Sequence, residues 1–299
     1  MVAGVAVLLA GCGAGTSAGP RNDPFGPPPS ASTASTASTL AAPRPAGTGR
    51  STPIPPAGRP ADRPLPTHGP AVPASRVSRD EASWVGTFRG EKIEVPRGHG
   101  ATLSFTFDDG PSPTSTPRVL ALLKKNGVPA VFCVIGQQAR TYPDLVRQEV
   151  RAGHVLCDHS RDHDLDMNRK GQAYVTREVT DGLDAIHAAT PGTAVPFYRQ
   201  PGGTWSPLVV HAMHRSGLTP MRWTDDPRDW SRPGSRVIVH RVVGKLAPGA
   251  VILMHDGGGD RTQTVEALGW LLPAVRAAGW VPVVAPQRTL PDKLAARPQ

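Results

Sequence analysis

No aromatic residue occurs between Phe25 and Trp84. That gap falls in a stretch rich in Pro, Ala, Ser, Thr and Gly, including "PPPSASTASTASTLAAPRPAGTG", and such a stretch cannot bury enough apolar surface to offset the entropy of ordering it. Nor does the chain contain the run of about 20 apolar residues that spans a bilayer as a helix. Lysine is scarce, six residues against 27 arginines, an imbalance of the kind GC-rich coding produces. The net charge is +9, but residues 13–80 hold seven Arg and three Asp, so +4 of it lies outside any folded part. A basic surface of this kind suits anionic polymers or lipid headgroups. Nucleic acid is not expected as a partner, because no recognition motif and no interleaved aromatic stripe accompany the charge. No internal repeat is present.

The composition predicts four segments. Residues 1–12 read as a signal segment, with the apolar start "MVAGVAVLLAG" too short to cross a membrane. The run "LAGC", Leu9 to Cys12, resembles the bacterial lipobox, whose Cys is lipidated after cleavage, so a membrane anchor through Cys12 is expected. Residues 13–85 are a disordered Pro/Ser/Thr/Ala-rich linker, 95–288 a catalytic domain, and 289–299 a tail. The location is extracytoplasmic, either lipid-anchored or secreted, and the protein is expected to act as a monomer.

Of three cysteines, Cys133 and Cys157 remain if Cys12 is lipidated. They lie in "AVFCVIG" and "HVLCD", which read as consecutive parallel strands, close enough for a disulfide in an oxidising compartment. Two buried free thiols are the plainer alternative.

From residue 100 the sequence alternates strand-like apolar runs with helical patterns, the mark of βα units. "ATLSFTF", "AVFCVIG", "HVLCD", "AVPFYR", "LTPMRW", "AVILMH" and "VPVVA" read as seven strands. Helices fall at 116–127 with Thr116 as N-cap, through "YPDLVRQEVRAG", at 172–189, and near 206–216, 236–246 and 263–278. The fold class is α/β, a distorted (β/α) barrel of about seven strands, with an open doubly wound sheet as the alternative. Asp108-Asp109, "HSRDH", "RQPGG", "DDPRDW" and His255-Asp256 each follow a predicted strand. The carboxyl ends of parallel strands form the face where such folds place their chemistry.

Asp108 and Asp109 in "TFDDGP" stand side by side at a strand end, where Gly110-Pro111 breaks the pattern. An Asx-turn is the plain reading of such a sequence. His159 and His163 are four apart, so on a helical turn both imidazoles would face the same way; two solvated loop histidines are the plain reading. Two imidazoles and one carboxylate make three protein ligands with an open position, suited to catalytic Zn2+ or a related divalent ion, and equally to non-haem Fe(II) in an oxygenase. A bound cation would hold one Asp ionised and leave its neighbour free as a proton acceptor. His255 could then protonate a leaving group, with Arg199 and Asp229 orienting base and acid or simply forming surface ion pairs.

Over 101–285 the chain resembles the polysaccharide deacetylases with the NodB homology domain, carbohydrate esterase family 4. Five signature motifs stand in order as "TFDDGP" (106–111), "HSRDH" (159–163), "RQPGG" (199–203), "DPRDW" (226–230) and "LMHD" (253–256). The resemblance implies a distorted (β/α) barrel that removes N-acetyl groups from glycan amino sugars, with Asp108 as catalytic base and Asp109, His159 and His163 as metal ligands. It makes His255 the general acid, Arg199 the tether of the base and Asp229 the partner of His255. Trp230 and Leu253 would line the pocket for the acetyl methyl, and the backbone N–H of Gly202 would meet the oxyanion. Many members carry an aromatic side chain where this chain has Gly202, so one wall of the substrate cleft differs.

The expected activity is metal-dependent N-deacetylation of GlcNAc- or MurNAc-containing glycans, peptidoglycan or chitin-like, with Zn2+ as the metal and Co2+ or Ni2+ as alternatives. An O-acetyl xylan esterase on the same site is the alternative within the family. An inactive wall-binding lipoprotein and an Fe(II) oxygenase are the alternatives from other classes. The base and acid argue against the first, and the strand–helix alternation against the second.

Overall fold

The computed structural model describes residues 83–284. The expected leader and lipobox (1–12), the linker up to residue 82 and the tail (289–299) lie outside the described residues.

The first elements are strands β1 (Ser83–Phe88) and β2 (Glu91–Pro96), an antiparallel hairpin separate from the main sheet. The sequence leads one to expect a linker as far as residue 85 and a domain from 95, but β1 already begins at Ser83 and the hairpin packs on the domain. The hairpin's alternation is short, but Phe88, Ile93 and Val95 are buried. Then follow β3 (Thr102–Gly110), α1 (Thr116–Asn126), β4 (Ala130–Val134), α2 (Gly136–Thr141), α3 (Pro143–Arg151) and β5 (Val155–Asp158). The second half comprises α4 (Gln172–Ala189), β6 (Phe197–Tyr198), α5 (Pro207–Arg215), β7 (Thr219–Pro220), α6 (Ser235–Val243), β8 (Ala250–His255), α7 (Thr262–Ala277) and β9 (Val281–Pro282). The hairpin lies against α7, where the Trp270 ring sits 6.2 Å from Trp84 and 5.6 Å from Phe88. Trp270 Nε1 donates to the Thr87 carbonyl at 2.9 Å, and Trp280 Nε1 to that of Pro96 at 2.7 Å.

Strands β7-β6-β5-β4-β3-β8 form one parallel sheet in that order, with β9 joined to the start of β3. The six ordered strands curl into a half-barrel, and a bridge from Asp225 to Ile252 ties the segment after β7 to β8. All seven expected strands are present. On β3, Leu103, Phe105 and Phe107 join the larger core with the helices. Each such side chain contributes about 1.5–3 kcal/mol by leaving water. Period-2 alternation sends Ser104, Thr106 and Asp108 to the opposite face. Val131, Cys133, Cys157, Phe197, Met221 and Val251 form a second, smaller core. Cys133 and Cys157 are direct partners in the β4–β5 register and are disulfide-bonded, as the spacing had suggested.

Helix α1 ends as read: Lys124 and Lys125 occupy the last turn, and Gly127 at φ 60° donates its N–H to the carbonyls of Leu123 and Lys124. Its N-cap is Ser115, one residue earlier than expected, and Thr116 lies inside the helix and donates its hydroxyl to Asp256. One helix, α2, has no counterpart in the sequence reading. It is six residues long, without an apolar stripe, and Gly136 at its start lets it pack closely: a Cβ there would lie 2.8 Å from the Gly182 Cα on α4.

Candidate active site

A regular pleat would send Asp108 and Asp109 to opposite faces of β3. The β3–β4 register slips between Asp108 and Gly110, and Asp109 adopts φ 68°. This bulge re-aims Asp109 toward the mouth that Asp108 already faces. The two carboxylates then have different surroundings. Asp108 Oδ1 accepts from Arg199 Nη1 at 2.5 Å, while Asp108 Oδ2 and Asp109 Oδ1 each lie 3.5 Å from His159 Nε2. Asp109 Oδ1 is also 3.2 Å from His163 Nε2.

Arg199 follows β6 and is fully buried. Beyond Asp108, its Nη1 donates to Thr106 Oγ1 at 2.9 Å and its Nε to the Met221 carbonyl at 3.2 Å. An ion pair built this deep, with further hydrogen bonds on the guanidinium, fixes orientation far more firmly than a surface pair could. Its backbone carbonyl meets His159 Nδ1 at 2.7 Å, so the Nε2 of that ring is turned to the carboxylates.

The residues of "HSRDH" follow β5 but make no helical turn, contrary to the sequence expectation. The rings converge instead, centroids 4.9 Å apart, because Ser160 (φ 65°) and His163 (φ 60°) are both left-handed. The loop is held from below: Asp158 Oδ1 accepts from Ser160 N at 3.1 Å, and Glu178 on α4 accepts from Asp162 N at 3.2 Å and pairs with Arg161 at 2.9 Å. Gly182 makes that docking possible, since a Cβ there would collide with Asp158 and Ser160.

Charge balance at this cluster follows from contact geometry. Burial works against ionisation of Asp109, but His159, His255 and His163 outweigh it and hold the carboxyl well below the usual range. Burial likewise opposes a charge on His159, and the carboxylates of Asp108 and Asp109 raise its pKa regardless. His163 is shifted down, by burial and then by the charge of His159. A divalent cation fits this donor set. The ligand atoms of Asp109, His159 and His163 lie within 4.8 Å of one another, and Asp109 Oδ1, buried, has no hydrogen-bond donor among the described residues.

Across the mouth, His255 ends β8 with its Nδ1 2.7 Å from Asp229 Oδ1. Asp229 Oδ2 accepts from the His255 backbone N–H at 2.9 Å and from Thr264 Oγ1 at 2.8 Å. Burial opposes a charge on the imidazole, but Asp229, and behind it Asp109 and Asp108, hold its pKa up to about 9. Leu253, two residues back on the same strand face, is buried, whereas Trp230 is 45 % exposed under the Arg228 guanidinium, 5.1 Å from its ring centroid. Gly202 is exposed at φ 60°, and Leu165 Cδ2 lies 3.1 Å from where its Cβ would be, so an exposed leucine from the "HSRDH" side stands beside the bare backbone.

Of the ten residues singled out in the sequence, nine thus end or follow β3, β5, β6, β7 or β8, and Leu253 lies within β8. Sequence reading missed Thr106 and Thr264, whose contacts join distant segments. Only Thr106, two positions before Asp108 on one strand face, carried a local signal.

The polysaccharide deacetylase family profile matches residues 96–221. A chitooligosaccharide deacetylase of Sinorhizobium fredii is 41 % identical over 205 residues, covering 64 % of this chain and 95 % of that protein. A peptidoglycan-N-acetylglucosamine deacetylase of Bacillus cereus is 35 % identical over 189 residues, 62 % of this chain and 87 % of its own length. Among solved structures, a family 4 carbohydrate esterase from Streptomyces lividans in complex with acetate superposes with a TM-score of 0.56 at 33 % identity, over 60 % of this chain and 90 % of that one. The bulged pair of aspartates, the converging histidines and the near-complete span of these relatives lead to one conclusion: the chain belongs to the polysaccharide deacetylases.

Proposed function

We propose that this protein hydrolyses the acetamido group of GlcNAc- or MurNAc-containing glycans in a divalent-metal-dependent reaction, releasing acetate and leaving the free amine on the sugar. The observation that carries the reading is the division of two adjacent carboxylates between Arg199 on one side and two imidazoles on the other, facing a charged His255. The names of the relatives from Sinorhizobium fredii and Bacillus cereus support the amino-sugar substrate.

Asp109, His159 and His163 would hold the cation. Zn2+ is our assignment, since two neutral imidazoles and one carboxylate with an open position suit it. Such an ion polarises a carbonyl and makes water a nucleophile near neutral pH. Asp108, oriented by Arg199, takes the proton of the attacking water. His255, kept cationic by Asp229, gives a proton to the sugar nitrogen as the C–N bond breaks. The backbone N–H of Gly202 supports the oxyanion, and Leu253 with Trp230 receives the acetyl methyl.

We also place the protein outside the cytoplasmic membrane. The apolar start and Cys12 support that reading, as does the Cys133–Cys157 disulfide, a bond that persists in oxidising compartments.

Acetate release by the metal-loaded protein from chitooligosaccharides, N-acetylated peptidoglycan and acetylated xylan tests the function. Release from an amino-sugar polymer is expected, abolished by chelator and by Asp108→Asn. Release from xylan alone would make the protein an O-acetyl esterase, and chelator-resistant release would remove the metal from the reading.

A further inference from the structure

Arg261 is 5 % exposed, and its guanidinium binds three backbone carbonyls: Gly257 from Nε at 2.6 Å, Gly258 from Nη2 at 2.7 Å and Trp230 from Nη1 at 3.3 Å. Burying a permanent charge is costly unless it is well hydrogen-bonded, and here three carbonyls meet that need while the guanidinium ties them together. They belong to two segments that flank the site. Trp230 directly follows Asp229, the partner of His255. Gly257 and Gly258 follow His255-Asp256, and their turn presses on Asp109: a Cβ on Gly257 would fall on the Asp109 carbonyl oxygen, and one on Gly258 on Asp109 Oδ2. The backbone N–H groups of Asp256 and Gly257 both donate to the Asp108 carbonyl, at 3.1 and 3.3 Å, so this turn is also tied to β3.

Asp109 has two carboxylate oxygens and a left-handed backbone, with Oδ1 directed to both imidazoles. The turn that crowds Oδ2 limits the rotation of that carboxylate. We propose that Arg261 is a positioning residue: by clamping the Gly257-Gly258 turn to the Trp230 carbonyl, it fixes the carboxylate of Asp109 toward His159 and His163 and sets Trp230 at the rim. The planar fork of donors is essential to the role, because one ammonium cannot reach three carbonyls in two segments.

This rests on the reading of Asp109 as a metal ligand, and the two fail differently. The test is the dissociation constant for Co2+ of the full chain, followed by the visible absorption of the bound ion, for the parent, Arg261→Gln and Arg261→Lys, with melting midpoints measured alongside. Both variants are expected to remain folded and to bind Co2+ about 10–100-fold more weakly, the loss typical when a group orienting a ligand is removed. A folded variant with the parent's Co2+ affinity overturns the proposal and leaves the metal reading intact, and a lower melting midpoint with unchanged affinity reduces Arg261 to a structural role. If Arg261→Gln does not fold, full affinity in Arg261→Lys is equally fatal. A parent that binds no Co2+ removes both readings.

Discussion

At the scale of single residues, the strongest lever is Asp229. It accepts from His255 twice and from Thr264 once, and its charge holds the imidazole near pKa 9. An imidazole with that pKa carries its proton below about 9 and loses it above, so the proposed acid is present through neutral pH. Asp229→Asn removes the charge but keeps the size. We expect kcat to fall by about 10²-fold or more, and the alkaline limb of the rate profile to move to lower pH. A limb that stays in place in the variant would separate His255 from that step. The residues legible in the sequence were those in contiguous motifs after predicted strands, where a parallel sheet gathers side chains however far apart they are in the chain. Thr264 and Arg261 were not legible, because Thr264 lies 35 positions from Asp229 and Arg261 31 from Trp230, and both sit at the start of a helix whose sequence carries no motif. The four-residue spacing of the histidine pair predicts convergence on a helical turn, whereas the rings converge on a left-handed loop, and left-handed residues do not announce themselves when they are Ser and His.

At the scale of elements, two features outside the mouth govern stability. The Cys133–Cys157 bond joins β4 to β5 across a separation of 24 residues, and closing a loop of that length restricts the unfolded chain by about 3 kcal/mol. The Cys133→Ser/Cys157→Ser variant should lose about that much in denaturant unfolding; an unchanged midpoint would refute it. His154, just ahead of β5 with its ring 5.2 Å from Phe132, is held neutral by burial, which lowers its pKa from 6.5 to about 4. Above 6.5 the ring is neutral in both states and its contribution is fully present. As pH falls toward 4 the unfolded chain takes a proton that the folded one refuses, and about 3 kcal/mol is lost. Buried Asp225 and Asp256, both held up to about 7 first by burial, act in the opposite sense across the same window. The test is therefore the difference between variants: the urea midpoint of His154→Leu should fall less, or rise more, than that of the parent as pH drops from 6.5 to about 4. Matching slopes would rule His154 out. Strong apolar runs such as β8 were read almost to the residue, whereas α2 was missed because its packing rests on Gly136 against Gly182 and not on an apolar face.

At the scale of the whole molecule, the half-barrel was legible from strand–helix alternation alone, while the hairpin was not, since its partners Trp270 and Trp280 lie near the other end of the chain. Phe88, Ile93 and Val95 are buried by that docking, a contribution on the order of 5 kcal/mol. A protein beginning at Arg97 is expected to melt well below the full chain or to precipitate; equal melting would show the hairpin to be dispensable. The end of the described chain also fixes a direction. Strand β9 joins β3 at Thr102 and Leu103, so it meets the sheet at its amino-terminal edge. The five clusters stand at the opposite edge. A bulky label on Val281, which is 44 % exposed, would therefore stand at the edge away from the mouth and leave the approach to the site clear.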